Sequence, residues 1–468
     1  MLIRSLPIIT EYIDALSGSL KSIKPSAQLT HAQKAKLAVI IIGIIVTETL
    51  NWAAFERRSL GKIKPSTLRW FCYSAKVRWH LLLQASTRHI LSQYGVNTGT
   101  LTIDDSEKKR SKRTTRIDGV HKMKDKGTNG FCMGQGLIIM VLVTDIATFP
   151  VDFRFYTPDP ALTQWRKEDK HLRQKGIAKK DRPKAPEPDH YRYPTRQALA
   201  INMLQAFIKN FPEITIKGVL ADALYGTGDF MDRAAQITGA QVISQLKSNQ
   251  TVSNRNSQAR VDAMFARKRG VESKLKVRGS KELRVTMLSA RLFVKAHGKR
   301  RFVIALKYDG EDEYRYLVAS DLSWRHSDIA RLYTLRWLVE VVIQDWKAHG
   351  GWHRLSKHQG KEGSERGVIL SLLCDHLLLL HPEQFVRLSN KKPGLPVGCL
   401  IERLKMEALV DTIRAVVESP EPGESLEELI KDIQKTLPTR DSSKHMTGLD
   451  FGRQEPTKSL KYHVNSST

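Results

Sequence analysis

The stretch Tyr333-Thr334-Leu335-Arg336-Trp337-Leu338-Val339-Glu340, continued to Lys347, decides how this chain is read. On an α-helix at about 100° per residue, Tyr333, Arg336, Glu340 and Lys347 fall within an arc of roughly 60°. Gln344 lies on the same side. The opposite side carries Leu335, Leu338, Val339, Val342, Ile343 and Trp346. One helix is therefore expected to bury an apolar stripe and to present a carboxylate flanked by two cations and a phenol. Carboxylates ligate metals, cations hold phosphates and a phenol hydrogen-bonds, so the inventory suits chemistry on a nucleic-acid backbone. Taken alone, the same pattern is an ordinary amphipathic helix with a solvated charged face. Two distant carboxylate positions and the overall charge tip the balance.

The 468 residues are too many for one core, so two to four domains are expected. Lys and Arg number 76 against 48 Asp and Glu, a net charge of +28 that favours a polyanionic partner and salt-sensitive phosphate binding. Cys72, Cys132, Cys374 and Cys399 form no C-x2-C pair, and no His/Cys cluster has zinc spacing. Free thiols in a reducing compartment, the cytoplasm, are the reading. The apolar run 37–46 is too short to span a bilayer and reads as a buried helix, so no membrane is expected as a partner.

Outward from the opening stretch, the pattern is mixed α/β. Residues 1–96 read as a helical, DNA-binding domain with helices near 5–22, 30–57 and 66–94, the last capped by Ser66 or Thr67. That third helix sets Arg69, Lys76, Arg78, His80 and Arg88 beside Trp70, Phe71 and Trp79. Residues 97–249 read as the first part of a catalytic core. Strands are expected at 101–105, 136–143, 151–155, 214–220 and 241–246, and helices at 196–209 and 228–237. A basic, proline-rich loop is expected at 157–194. Residues 250–325 read as a basic, β-rich insertion with a hairpin turn at Asp309-Gly310. Residues 326–382 complete the core, with Ser327 or Asp328 capping the helix that carries Tyr333 to Lys347. Helices are expected in 383–438, and 439–468 reads as a disordered tail.

Asp104 and Asp105 lie on a strand, where neighbours point to opposite faces, so one of the two faces the site. Asp222 follows a buried strand, at the kind of strand end where α/β sheets bind ligands. With Glu340, three carboxylates from separate elements would suit Mg2+ or Mn2+. Two such ions could activate an attacking oxygen and stabilise a leaving one. The basic run Lys108-Lys109-Arg110, with Lys112, Arg113 and Arg116, is expected at DNA phosphates beside the site.

On Asp104-Asp105-Ser106, Asp222 and Tyr333/Arg336/Glu340/Lys347, the chain resembles the DDE transposases of bacterial insertion sequences, in the group marked by a Tyr-Arg-Glu-Lys signature. The resemblance covers about residues 99–350. It implies a ribonuclease-H-like core with a β-rich insertion, flanked by the N-terminal helical domain and the C-terminal helices. It also implies Mg2+-dependent cleavage at transposon ends, strand transfer by cut and paste, and a bacterial, nucleoid-associated protein. Its partners would be terminal inverted repeats and target DNA, with the protein acting as a homodimer in the DNA complex. Carried over residue by residue, Asp105, Asp222 and Glu340 would be the catalytic metal ligands. Asp105 is preferred over Asp104 because it directly precedes Ser106. Tyr333, Arg336 and Lys347 would hold phosphates. Two rival readings remain: a nuclease of the same fold without strand transfer, and a catalytically inactive DNA-binding derivative.

Overall fold

A computed structural model describes residues 5–436, except 112–113, 115, 126, 129, 267, 277–281 and 355–357. The tail expected at 439–468, and Lys112, Arg113, Arg267 and Arg278 of the basic segments, lie outside the described residues.

The apolar run at 136–143 sits where such a run must, inside a sheet covered on both faces. After five helices, α1 (Pro7–Ile23), α2 (His31–Thr47), α3 (Trp52–Arg58), α4 (Pro65–Ser74) and α5 (Trp79–Gln93), the chain enters β1 (Thr98–Arg110), β2 (His121–Lys124), β3 (Phe131–Val143) and β4 (Thr148–Tyr156). Then come α6 (Pro160–Gln174), α7 (Arg196–Asn210), β5 (Thr215–Ala221), α8 (Gly228–Thr238) and β6 (Gln241–Leu246). Strand β1 pairs antiparallel with β3 and parallel with β5, which pairs parallel with β6. Strand β4 pairs antiparallel with β3.

Side-chain alternation sorts the core into two layers. Ile138, Met140 and Leu142 of β3 face one way with Leu101 and Ile103, against α7 and α8. Leu137, Ile139 and Val141 face the other way, against the N-terminal helices and the helices that follow the sheet.

Segment 250–325 forms β7 (Thr251–Ser253), β8 (Gln258–Arg260), α9 (Val261–Ala266), β9 (Val271–Lys276), β10 (Glu282–Val294), β11 (Lys299–Tyr308) and β12 (Arg315–Ala319). The insertion extends the core sheet: β12 pairs antiparallel with β6, and β11 and β10 follow outward. This covers an edge of β6 that would otherwise expose unpaired backbone groups. Within the insertion, β10 runs unbroken for its whole length and pairs with β9 on one side and β11 on the other. The turn at Asp309-Gly310 joins β11 to β12, with Gly310 at φ +83°.

The chain ends in α10 (His326–Thr334), α11 (Trp337–His349), α12 (Gly360–Leu379), α13 (Pro382–Ser389), α14 (Val397–Val417) and α15 (Pro422–Thr436).

Several expectations are corrected. The helix expected at 30–57 breaks at Glu48 (φ +47°), and Asn51 caps α3 by accepting from the Ala53 N–H. The helix expected at 66–94 breaks between Ser74 and Trp79. Its start has Pro65 at the first turn and Lys64 at the cap position, so neither Ser66 nor Thr67 caps it. The loop at 157–194 contains α6, which Asp159 caps by accepting from the Ala161 and Leu162 N–H groups. Helix α10 starts after Arg325 without a side-chain cap, and Asp328 lies in its first turn, where a carboxylate favours the helix dipole.

The run at 37–46 is buried within α2, as its composition demands, and no single helix among the described residues is long and apolar enough to cross a membrane. All four cysteines are free.

The N-terminal helices share a core with α11, α12 and α14. A buried polar chain ties them to the sheet. His376 Nε2 lies 2.7 Å from the Pro150 carbonyl oxygen, which can only accept, so Nε2 carries the proton. Nδ1 then accepts from the Ser86 hydroxyl at 2.7 Å, and Ser86 accepts from the Tyr12 hydroxyl at 2.7 Å. The chain works only with a neutral imidazole, and burial lowers the His376 pKa to about 4. The unfolded imidazole takes its proton first, so this contribution is full above pH ~6.5 and fades as pH falls toward 4. His376→Ala is expected to lower stability at pH 7.5 by roughly 2–4 kcal/mol. The gap to the wild type should narrow between pH 6.5 and 4.5 in urea titrations. A gap independent of pH would contradict a neutral buried imidazole.

Candidate active site

Strands β1 and β5 run parallel, with Ile103 opposite Ala221 as their last registered pair. Asp104 and Asp222 are the next residues on each, at the carboxyl ends of adjacent parallel strands. Asp104 lies opposite Ile139 of β3, so its side chain shares the face covered by α11. Asp222 begins a tight turn in which its Oδ1 accepts from the Leu224 N–H at 2.9 Å and its backbone oxygen accepts from the Ser244 hydroxyl at 2.6 Å. Glycine is required at 226, where a Cβ would stand 2.3 Å from the Gln245 carbonyl oxygen.

The segment from Tyr333 to Lys347 is two helices rather than one. Helix α10 stops at Thr334 and α11 starts at Trp337. Across the join, the N–H groups of Leu335, Arg336, Leu338 and Val339 each bond three residues back, tightening the turn. The apolar stripe holds nonetheless, with Val339, Ile343 and Trp346 buried and Leu335, Leu338 and Val342 packed against the same core. Tyr333, at the end of α10, directs its hydroxyl at the Ala221 carbonyl oxygen, 3.5 Å away, beside Asp222. Burial raises its pKa, and Asp222 and Asp104 raise it further. Arg336 spans strand and helix: Nη1 lies 3.1 Å from Asp104 Oδ2, and Nη2 bonds Glu340 Oε1. Lys347 is half-buried two turns farther along α11.

Asp105 points to the opposite face, as alternation requires. It lies opposite Ile138, accepts from the Tyr225 hydroxyl at 2.8 Å, and pairs with Arg196 Nη1 at 3.1 Å. Arg196 also stacks 4.5 Å over the Tyr156 ring. Tyr225 is fully buried, and both burial and the Asp105 charge raise its pKa. Sequence reading missed Arg196 and Tyr225 as partners of this aspartate. Tyr225 stands three residues after Asp222, but nothing in the sequence names what it touches.

The basic run after Asp105 does not present three side chains to solvent. Lys108 is buried: its ammonium donates to the Trp352 carbonyl oxygen and lies 4.7 Å from the Trp352 ring centre. Burial, with Arg110 nearby, lowers its pKa to about 6. Arg110, on the same face, donates to Gln135 Oε1 at 2.6 Å. Lys109 points the other way, exposed, and pairs with Asp125 at 2.7 Å. A phosphate contact from Lys108 is therefore corrected by the same alternation that separates Asp104 from Asp105.

Asp104, Asp222 and Glu340 are an all-oxygen donor set of the kind hard divalent cations take. Among the described residues, no three His, Cys, Asp or Glu side chains are gathered closely enough to hold an ion as they stand. Arg336 lies between Asp104 and Glu340 and supplies the positive charge there. The donors fit magnesium or manganese in chemistry, with Arg336 as the counter-cation of this arrangement.

Asp104 and Arg336 are each 16% exposed and Glu340 44%, so Glu340 is the open side of the cluster. Burial raises the Asp104 pKa to about 6. The Asp105 N–H and Arg336 oppose this shift, and the Asp222 and Glu340 charges add to it. A carboxyl held above its unfolded value of ~3.8 disfavours the folded state increasingly as pH rises from about 4 through 6. Asp104→Asn is therefore expected to stabilise the metal-free protein at pH 8 by about 1–3 kcal/mol, a gain that fades by pH 4. Urea denaturation at the two pH values measures it; an equal effect at both would show that Asp104 ionises normally.

No curated protein matches the chain. Residues 191–374 match the model of the transposase DDE domain, a segment that holds Arg196, Asp222, Tyr225, Tyr333, Arg336, Glu340 and Lys347. It spans less than half of the chain and begins after β1, so Asp104 and Asp105 lie outside it. This similarity supports a DDE transposase, an enzyme of the transposase and nuclease type whose family implies DNA as its partner.

Proposed function

We propose that the protein is a transposase that cleaves DNA at transposon ends and transfers the freed strand into target DNA by cut and paste, with Asp104, Asp222 and Glu340 as its catalytic carboxylates. The observation that carries this reading is the single cluster formed by Asp104, Asp222, Tyr333, Arg336 and Glu340 at the ends of two adjacent parallel strands. The antiparallel strands β1 to β4 followed by β5 and β6, which run parallel to β1, with helices on both faces, support a ribonuclease-H-like core. Asp104 is preferred to Asp105 as the first carboxylate because only Asp104 shares a face with Arg336 and Glu340. The three carboxylates would hold Mg2+ or Mn2+. Two such ions, when bound, supply activation of the attacking oxygen and charge stabilisation at the leaving one.

The remaining roles belong to the chain. Arg336 is a planar fork already aimed at paired oxygens, matched to a phosphate. Lys347 is a point charge farther along the same helix. Tyr333, protonated throughout the physiological range, donates a hydrogen bond. Asp105 holds the Tyr225 hydroxyl and so braces the turn that carries Asp222 against β1. It is a positioning residue in this reading.

Lys109, with the exposed Arg69, Lys76, Arg78 and His80 around the α4–α5 junction, would meet DNA backbone outside the site. Terminal inverted repeats and target DNA are the substrates, bound by a homodimer. The setting is the bacterial cytoplasm, on the nucleoid. A nuclease without strand transfer is the second reading, because the same carboxylates serve hydrolysis alone.

Asp222→Asn, Glu340→Gln and Asp104→Asn are each expected to reduce Mg2+-dependent cleavage of end-containing DNA by at least ~1,000-fold while leaving binding within about threefold. Asp105→Asn and Tyr225→Phe should cost roughly 10-fold and raise the Mg2+ concentration needed for half-maximal rate. Gel assays of cleavage and strand transfer decide. Full activity in Asp104→Asn with loss in Asp105→Asn would reverse the assignment, and cleavage without joined products would favour the nuclease. Lys347→Ala should lower the log–log salt slope of DNA binding by about one. An unchanged slope would remove Lys347 from the phosphate contacts.

A further inference from the structure

The turn that carries Asp222 is held from two sides. On the β1 side, the Tyr225 hydroxyl bonds Asp105, and Gln197 Nε2 donates to the Leu224 carbonyl oxygen at 2.7 Å. On the other side stands the connection between β10 and β11, a short helical turn at Lys295–His297 followed by Gly298 at φ +63°. His297 Nε2 lies 3.0 Å from the Gly226 carbonyl oxygen. Arg301, the third residue of β11, donates from Nε to His297 Nδ1 at 3.3 Å. Its Nη2 donates to the Gly228 carbonyl oxygen at 3.3 Å and to Asp232 Oδ1 of α8 at 2.6 Å. Lys299 pairs with the other Asp232 oxygen at 2.7 Å.

A guanidinium N–H can only donate, so His297 Nδ1 accepts and Nε2 carries the proton that reaches Gly226. The relay needs a neutral imidazole, and burial lowers the His297 pKa. Arg301 is 1% exposed. A cation buried to that degree is costly unless its donors are used, and these are used on the turn, on His297 and on α8.

The turn has little stiffness of its own. Its internal bonds run from Leu224 to Asp222 Oδ1, from Tyr225 to the Asp222 oxygen and from Gly226 to the Ala223 oxygen. Glycine follows at 228, where a Cβ would stand 2.8 Å from the His297 Cα. The hairpin and the turn thus meet backbone to backbone. Two glycines permit close approach but leave the chain free to move unless something else fixes it.

We propose that His297 and Arg301 are positioning residues for Asp222: the hairpin of the insertion holds the turn that aims this carboxylate. A catalytic group must stay within about 0.5 Å of its working position, and side chains one layer out keep it there. The inference rests on the reading of Asp222 as a catalytic carboxylate. It gives the insertion a second role beside covering β6.

Two measurements on the full-length protein test it. The first is amide hydrogen exchange without DNA or metal. His297→Ala is expected to speed exchange at Leu224, Tyr225 and Gly226 by at least ~10-fold while β5 and β6 exchange as in the wild type. The second is the Mg2+ concentration for half-maximal cleavage of end-containing DNA, which should rise about 10-fold in His297→Ala with DNA affinity within about threefold. His297→Gln keeps an N–H donor for Gly226 and should recover both readouts to within about threefold. His376→Ala, which loosens the fold far from the turn, should leave the Mg2+ requirement unchanged. Arg301→Met removes a buried charge and can unfold the chain, so His297 carries the test.

Unchanged exchange at the turn in His297→Ala overturns the proposal, as does an unchanged Mg2+ requirement. A rise that His376→Ala shares overturns it too, since general loosening would then explain the effect. Wild-type cleavage by Asp222→Asn strikes the catalytic reading instead, and the exchange measurement still decides whether His297 holds the turn.

Discussion

The guanidinium of Arg336 is the contact on which the arrangement of the site depends. Two strands end side by side with an aspartate each, and a helix delivers a glutamate to the same place. Three carboxylates at a half-buried strand end repel one another, and burial penalises the charged form of the innermost, Asp104. Arg336 answers two of them at once, because its planar fork reaches Asp104 with one nitrogen and Glu340 with the other. In doing so it fixes α11 against β1. Lysine could not serve in the same way, since a point charge lacks the two divergent donors.

That geometry explains the break between α10 and α11. A continuous helix would carry Tyr333 and Arg336 on one rigid cylinder. The three-residue bonding through Leu335–Val339 instead lets α10 pack on the β5–β6 side, where Leu332 and Tyr333 join the smaller core, while α11 packs over β3 and β1. Leu335 touches both cores and marks the hinge of the two directions. The tyrosine and the arginine thereby approach the carboxylates from different sides.

The rest of the molecule builds outward from β1. Its alternation gives neighbouring residues opposite surroundings: Asp104 faces a charged cluster, Asp105 a tyrosine and an arginine, Lys108 the underside of Trp352, and Lys109 solvent. The insertion completes the sheet by covering β6, and the N-terminal helices complete the core by covering α12, with the Tyr12–Ser86–His376 chain as their polar tie. Basic charge spreads over most of this body. The C-terminal helices α14 and α15 carry a surplus of carboxylates, and α14 joins this body through Leu400, Ile401, Leu404 and Ala408.

Periodicity by itself determined the mixed α/β class, the buried character of 37–46 and 136–143, and the strand at 241–246 to the residue. It also determined the apolar side of the segment that holds Tyr333 and Glu340. These features are local: each follows from the spacing of apolar residues and from the few residues that can start or stop an element. The sequence likewise singled out Asp222, Arg336 and Glu340, because residue type and spacing are visible without coordinates. Alternation said only that Asp104 and Asp105 differ, and the preference for Asp105 came from the resemblance, through Ser106. Which of the two shares a face with Arg336 and Glu340 rests on which face of β1 meets α11, a matter of packing between segments more than two hundred residues apart. Lys108 shows the same limit. A basic run reads as a solvated or phosphate-binding patch, but a strand whose one face is covered along that stretch buries every second member of it. Tertiary structure alone brought Arg196 and Tyr225 to Asp105 and joined the insertion to the sheet, because each of these depends on what stands next to an element and not on what it is made of.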